Sequence, residues 1–76
     1  MEIRNLITFL HVAELNSFTK AAELLGYTQS TVSFQIKQLE TELDCLLFER
    51  INHTITLTER GNELLAYAQA VCRPPR

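Results

Sequence analysis

A small, mainly α domain closed by a β-hairpin is what this sequence predicts, on three observations. Apolar residues recur at helical spacing through most of the chain. Two local punctuation marks, Asn16-Ser17 and Gly26-Tyr27-Thr28, cut that pattern into three helices. Two short β-prone runs around Asn52-His53 then interrupt it once, ahead of a last helix. With 76 residues the chain holds one domain and a modest core.

Each element has a local reason. In the first 15 residues Ile3, Leu6, Leu10 and Ala13 fall three or four apart, with neither Gly nor Pro to interrupt. Asn16 suits the left-handed residue that ends a helix, and Ser17 suits the N-cap of the next. That second helix, Phe18 to Leu25, sets Phe18, Ala21, Ala22 and Leu25 on one side, and Gly26 closes it. Thr28 caps a third helix running to about Leu43, so two helices are joined by a very short turn, the punctuation of a helix-turn-helix.

The third helix has two faces. Val32, Ile36, Leu39 and Leu43 point within one narrow sector and form a core stripe. Ser30, Phe34, Lys37 and Thr41 point the opposite way, with Ser33 and Gln38 on the flanks. Beyond it, residues 47–51 and 54–57 read as two strands about Asn52-His53, with period 2 kept by Ile55 and Leu57. Thr58 caps a fourth helix from Glu59 to about Cys72, which Pro74-Pro75 stops. Helix, helix-turn-helix, hairpin, helix is a winged helix-turn-helix: a three-helix core, a small β-hairpin wing and a C-terminal helix.

Composition narrows the function classes. Hydrophobic residues at 46% and charged residues at 21% are an ordinary globular balance. Cys45 and Cys72 cannot make a disulfide framework, no Cys/His spacing suggests a metal, and a reduced cytoplasmic setting is expected. No cofactor is implied, and no apolar stretch or signal peptide points to a membrane. An enzyme is not expected, because no nucleophile–base pair or phosphate loop occurs and the chain is too short to enclose a typical pocket. The net charge of −2 does not by itself suggest nucleic acid, but its distribution leaves room for a neutral-to-basic surface beside acidic patches. Residues 28–39 carry no acid and one base, Lys37, whereas Glu40, Glu42, Asp44 and Glu49 crowd the next ten positions.

Six segments carry a resemblance: FLHVAE at 9–14, SFTKAA at 17–22, QSTVS at 29–33, IKQLE at 36–40, LFER at 47–50 and LTERG at 57–61. In this order and spacing the sequence resembles the N-terminal DNA-binding domain of LysR-type transcriptional regulators. The resemblance implies a winged helix-turn-helix over residues 1–58, its helix-turn-helix at about 18–37, and the start of a linker and dimerisation helix over 59–76. It also implies regulation of transcription in a bacterial or archaeal cytoplasm, at the nucleoid, by a homodimer on double-stranded DNA carrying an interrupted inverted repeat. A small-molecule effector would act only through a C-terminal domain that this chain lacks. Three positions depart from the family's usual pattern: Asp44 where Gly is common, the weakly basic Asn52-His53-Thr54 wing tip, and the aromatic Phe34.

A major groove admits one helix, and short polar side chains near its N-terminus suit base edges and phosphates. Candidate DNA contacts are therefore Thr28, Gln29, Ser30, Thr31 and Ser33, with Gln29 able to pair bidentately with adenine. The bland reading of each is a solvated first-turn residue. Phe34 suits a thymine methyl, with a lone exposed hydrophobe or a protein contact as alternatives. Lys37 and Arg50 are the phosphate anchors, set against a solvated lysine and an Arg50 pair with Glu49 or Glu42. His53 at the wing tip is a further candidate for a phosphate contact, with a solvated loop histidine as the bland reading. His11 reads as structural and Cys45 as a small buried hydrophobe. Leu64, Leu65, Ala68 and Val71, continued by Cys72, form an apolar surface on the fourth helix, the expected dimer contact. A winged helix that binds protein, without specific DNA binding, is the alternative that the net charge and Phe34 would favour.

Overall fold

A computed structural model describes residues 1–72; the Pro74-Pro75 stop lies outside the described residues. The order is α1 (Ile3–Leu15), α2 (Phe18–Leu25), α3 (Gln29–Leu43), β1 (Phe48–Ile51), β2 (Thr54–Leu57) and α4 (Glu59–Cys72). This is the winged helix-turn-helix read from the sequence.

The helix ends fall where local chemistry puts them. Asn16 adopts the left-handed conformation (φ 55°), and the Ser17 side chain accepts the Lys20 N–H at 3.1 Å. Gly26 (φ 75°) closes α2, and Thr28 Oγ1 accepts the Thr31 N–H at 3.1 Å to open α3. Asp44 takes the left-handed place after α3 (φ 54°), doing a glycine's work with a short polar side chain. Thr58 opens α4, its Oγ1 accepting the Gly61 N–H at 3.0 Å while donating to the Leu46 carbonyl at 2.6 Å.

The core lies between α1, the inner stripe of α3 and α4. Phe9, Val12, Val32, Leu39 and Leu47 are fully enclosed, with Ala21 and Ala22 of α2 and Leu64 and Ala68 of α4 packed around them. Two hydrogen bonds fasten α3 to α1: Thr8 Oγ1 donates to Gln35 Oε1 at 2.6 Å, and Asn5 Nδ2 donates to Gln38 Oε1 at 3.0 Å. His11 is structural as expected, its Nδ1 donating to the Ile7 carbonyl at 2.9 Å.

Three expectations are corrected. Leu43 is exposed because it ends α3 and overhangs the packed layer. Cys45 is only half-buried, since the left-handed Asp44 turns the chain outward beside it. The first strand opens at Phe48 rather than Leu47, whose N–H donates to Glu40 Oε2 at 2.9 Å while its carbonyl accepts the Thr58 N–H at 3.0 Å. Leu47 thus joins the ends of α3 and α4 and fixes where the wing leaves the core. Burial also pushes the Cys72 thiol up, which keeps it protonated at neutral pH.

The hairpin is antiparallel, pairing Phe48 with Leu57, Arg50 with Ile55 and Ile51 with Thr54. Alternation turns Phe48, Arg50, Ile55 and Leu57 toward the domain and Glu49, Ile51, Thr54 and Thr56 away from it.

Candidate nucleic-acid interface

The outer face of α3 is built by subtraction. Val32, Ile36 and Leu39 are buried and Gln35 is tied to α1, which leaves Gln29, Ser30, Ser33, Phe34 and Lys37 exposed along the outer side of the first two-thirds of α3. These five line one shallow, open concavity. Its floor is the N-terminal half of a 15-residue helix, where the free N–H groups and the helix dipole favour negative charge. The acidic residues lie at the other end, and two of them are occupied. Glu40 accepts from Leu47, and Glu42 sits 3.4 Å from the Met1 amino group.

Thr28 and Thr31 hold the start of this helix. Their hydroxyls are 2.9 Å apart, and Thr28 Oγ1 also takes the Thr31 N–H. Both side chains therefore reach outward only through an oxygen already shared.

A second groove, of about 350 Å³, runs between the start of α2, Gln29 and the wing. Arg50 and His53 line it, together with Asn16, Ser17, Thr19 and Thr54, which sequence reasoning missed as site residues. Asn16 and Ser17 were visible only as helix punctuation; that the wing folds back over them is a tertiary fact. Arg50 projects from the inner side of β1, and its guanidinium carbon lies 5.7 Å from the centre of the Phe18 ring. Phe18 meets Phe48 edge-on at 5.6 Å, and Phe48 packs on the buried Phe9 at 5.4 Å. A chain of rings thus connects the core to this cation. Neither Glu49 nor Glu42 pairs with Arg50, and among the described residues Lys37 is in no ion pair either. By contrast Arg4 and Arg60 are paired, to Glu2 and Glu63.

The wing tip is a two-residue turn with both residues left-handed, Asn52 at φ 50° and His53 at φ 65°. Asn tolerates this conformation, whereas His53 is held there at a cost. A His53→Gly variant is therefore expected to gain roughly 0.5–1 kcal/mol, a Tm about 2–6 °C higher by thermal unfolding. An unchanged Tm would mean the turn carries no such strain.

On α4 the expected dimer contact divides. Leu64 and Ala68 are buried within the domain against α1, so they have no surface to give a partner; Leu65 is half-buried and Val71 is exposed. Periodicity shows which way a side chain points, not which neighbour reaches it first. Tyr67, passed over in the sequence, is exposed beside Leu43, Cys45, Arg60 and Glu63.

With this geometry in view, residues 3–62 match the family described as bacterial regulatory helix-turn-helix protein, lysR family. The chain belongs to the LysR family. Among its LysR relatives it is 46% identical over 71 residues to the uncharacterized HTH-type transcriptional regulator YwqM of Bacillus subtilis, covering 93% of this chain and 24% of that protein. It is 48% identical over 69 residues to the HTH-type transcriptional activator IlvY of Salmonella typhimurium, covering 91% and 23%. This LysR chain therefore spans about a quarter of the length of the curated relatives it matches. Two solved structures extend the likeness to the backbone. A BenM DBD/catB site 1 DNA complex superposes with a TM-score of 0.89 at 40% identity, over 95% of this chain and 81% of that one. Full-length CbnR complexed with its target DNA superposes at 0.88 and 35% identity, over 95% and 25%.

Proposed function

We propose that this chain is the DNA-reading unit of a LysR-type transcriptional regulator. It binds double-stranded DNA sequence-specifically, with α3 in the major groove. Gln29, Ser30, Ser33 and Phe34 face base edges there, and Thr28 and Thr31 set the first turn against the backbone. Lys37 on one side, and Arg50 with His53 on the other, take phosphates. Its role is binding rather than catalysis, in the cytoplasm at the nucleoid. One observation carries the reading: two unpaired cations flank the acid-free, outward half of α3, while the opposite side of that helix is locked into the core. The two DNA complexes among the similar structures support it.

Two copies act together on an interrupted inverted repeat, their α3 helices about 34 Å apart on one side of the duplex. The pair forms through the outward part of α4, where Leu65, Tyr67 and Val71 are available. A small-molecule effector acts through a further domain. The protein-interaction reading is not favoured, because the side chains that line the concavity with Phe34 are Gln29, Ser30, Ser33 and Lys37, all of them polar.

Selection of random duplexes at two salt concentrations tests this reading. Enrichment of a twofold repeat is expected, and log affinity should fall against log salt with a slope of about −5 to −7 if about six to eight phosphates are neutralised. Retention without enrichment, or a flat salt dependence, would overturn it.

A further inference from the structure

Phe34 is 61% exposed, yet it rides on a helix that cannot roll. The next residue, Gln35, is bonded to Thr8, and Gln38 one turn on is bonded to Asn5, both on α1. Val32 and Ile36 are sunk in the core on the far side. The backbone that carries the ring is therefore held in place, and the ring stands out from the middle of the outer face.

Its surroundings select the kind of partner. Ser30, Thr31, Lys37 and Gln38, at positions −4, −3, +3 and +4 from Phe34, are its neighbours on the helix surface. All are polar, and all but the half-buried Thr31 are exposed. An aromatic anchor for a protein partner would sit within a broader apolar patch. Of the other exposed apolar side chains, Leu43 stands nine residues on, at the far end of α3, and Leu24, Ile51 and Val71 lie on different elements. A single apolar spot in a polar ring matches a single apolar spot in a polar groove. In the major groove, where every other base-edge feature is a hydrogen-bond donor or acceptor, that spot is the C5-methyl group of a pyrimidine.

We propose that Phe34 reads a pyrimidine C5-methyl group in each half-site, a specificity that rests on the DNA-binding reading above. The ring covers the methyl and removes it from water, while Ser30, Ser33 and Lys37 keep to polar edges and phosphates around it. Thymine and 5-methylcytosine both offer this group. Discrimination from the unmethylated base is worth about fourfold per half-site, from the water-exposed area of one methyl. A symmetric pair of half-sites then gives about fifteenfold.

The test uses the full chain and the duplex recovered by selection. Each thymine is replaced in turn by deoxyuridine, which deletes only the methyl. At one thymine per half-site, uracil should weaken the unsubstituted protein about fourfold, and about fifteenfold at both. Phe34→Ala should bind thymine and uracil duplexes equally, with an unchanged Tm because the ring is exposed. At the same position, 5-methylcytosine binding more tightly than cytosine supports reading of the methyl on either base. No difference between those two bases, alongside uracil sensitivity, supports reading confined to thymine. A duplex that binds but is indifferent to uracil at every thymine, or a Phe34→Ala variant that keeps the uracil penalty, overturns the inference and leaves DNA binding standing. Failure to recover any preferred duplex overturns both.

Discussion

A Gly61→Ala variant is expected to lose about 1–2 kcal/mol of stability, a fall in Tm on the order of 5–15 °C in thermal unfolding. The sign is the opposite of the usual one. Inside a helix, Ala is better than Gly by about 1 kcal/mol, and Gly61 is not among the positive-φ residues that would need a glycine. The obstacle is contact. An added methyl would run into the Leu47 carbonyl oxygen and lie 2.9 Å from Leu57 Cδ2. The oxygen belongs to the backbone and is committed to the Thr58 N–H, and the adjacent Leu46 carbonyl is held by the Thr58 hydroxyl. Overpacking a site that cannot yield costs about 1–3 kcal/mol and sometimes more, which outweighs the propensity gain. A Tm that rises instead would show that the loop ahead of β1 gives way freely.

The double variant Lys37→Gln/Arg50→Gln is expected to bind DNA about 100-fold more weakly at moderate salt, with roughly 0.7 kcal/mol lost at each of four contacts in a dimer. Its salt slope should be shallower by about 3–4 units, because four fewer counterions are released. Specific and random duplexes should lose affinity alike, since phosphates carry no sequence information. Stability should change little: neither side chain is in an ion pair, and Arg50 gives up only its contact with Phe18, about 0.5–1 kcal/mol. Titrations at several salt concentrations decide the matter, and an unchanged slope would remove both residues from the phosphate contacts.

The order of elements was legible because caps are local chemistry. Asn16, Ser17, Gly26, Thr28 and Thr58 each announce a boundary within one turn of themselves, and each stands at one. The outward set on α3 was legible for a similar reason, since a 3.6-residue period separates two faces without knowledge of the rest. Depth of burial was not. Leu43 belongs to the apolar stripe by angle but overhangs its end, and Leu64 and Ala68 point where α1 happens to lie. The Thr8–Gln35 and Asn5–Gln38 bonds join residues 27 and 33 apart, and leave no periodic trace in either helix. Arg50 was legible as a cation but not as a ring-stacked one, because its partner Phe18 comes from an element that reads as part of the core.

The three rings between the interior and Arg50 have a practical consequence for genetics. A lesion at Phe9, far from any ligand and wholly hidden, would tilt Phe48, then Phe18, and finally misdirect the guanidinium. In a screen scored only by promoter output, such an allele would masquerade as the loss of a contact residue. The discriminating sign is that the cation is still present: the ionic-strength response would persist while the binding curve shifts.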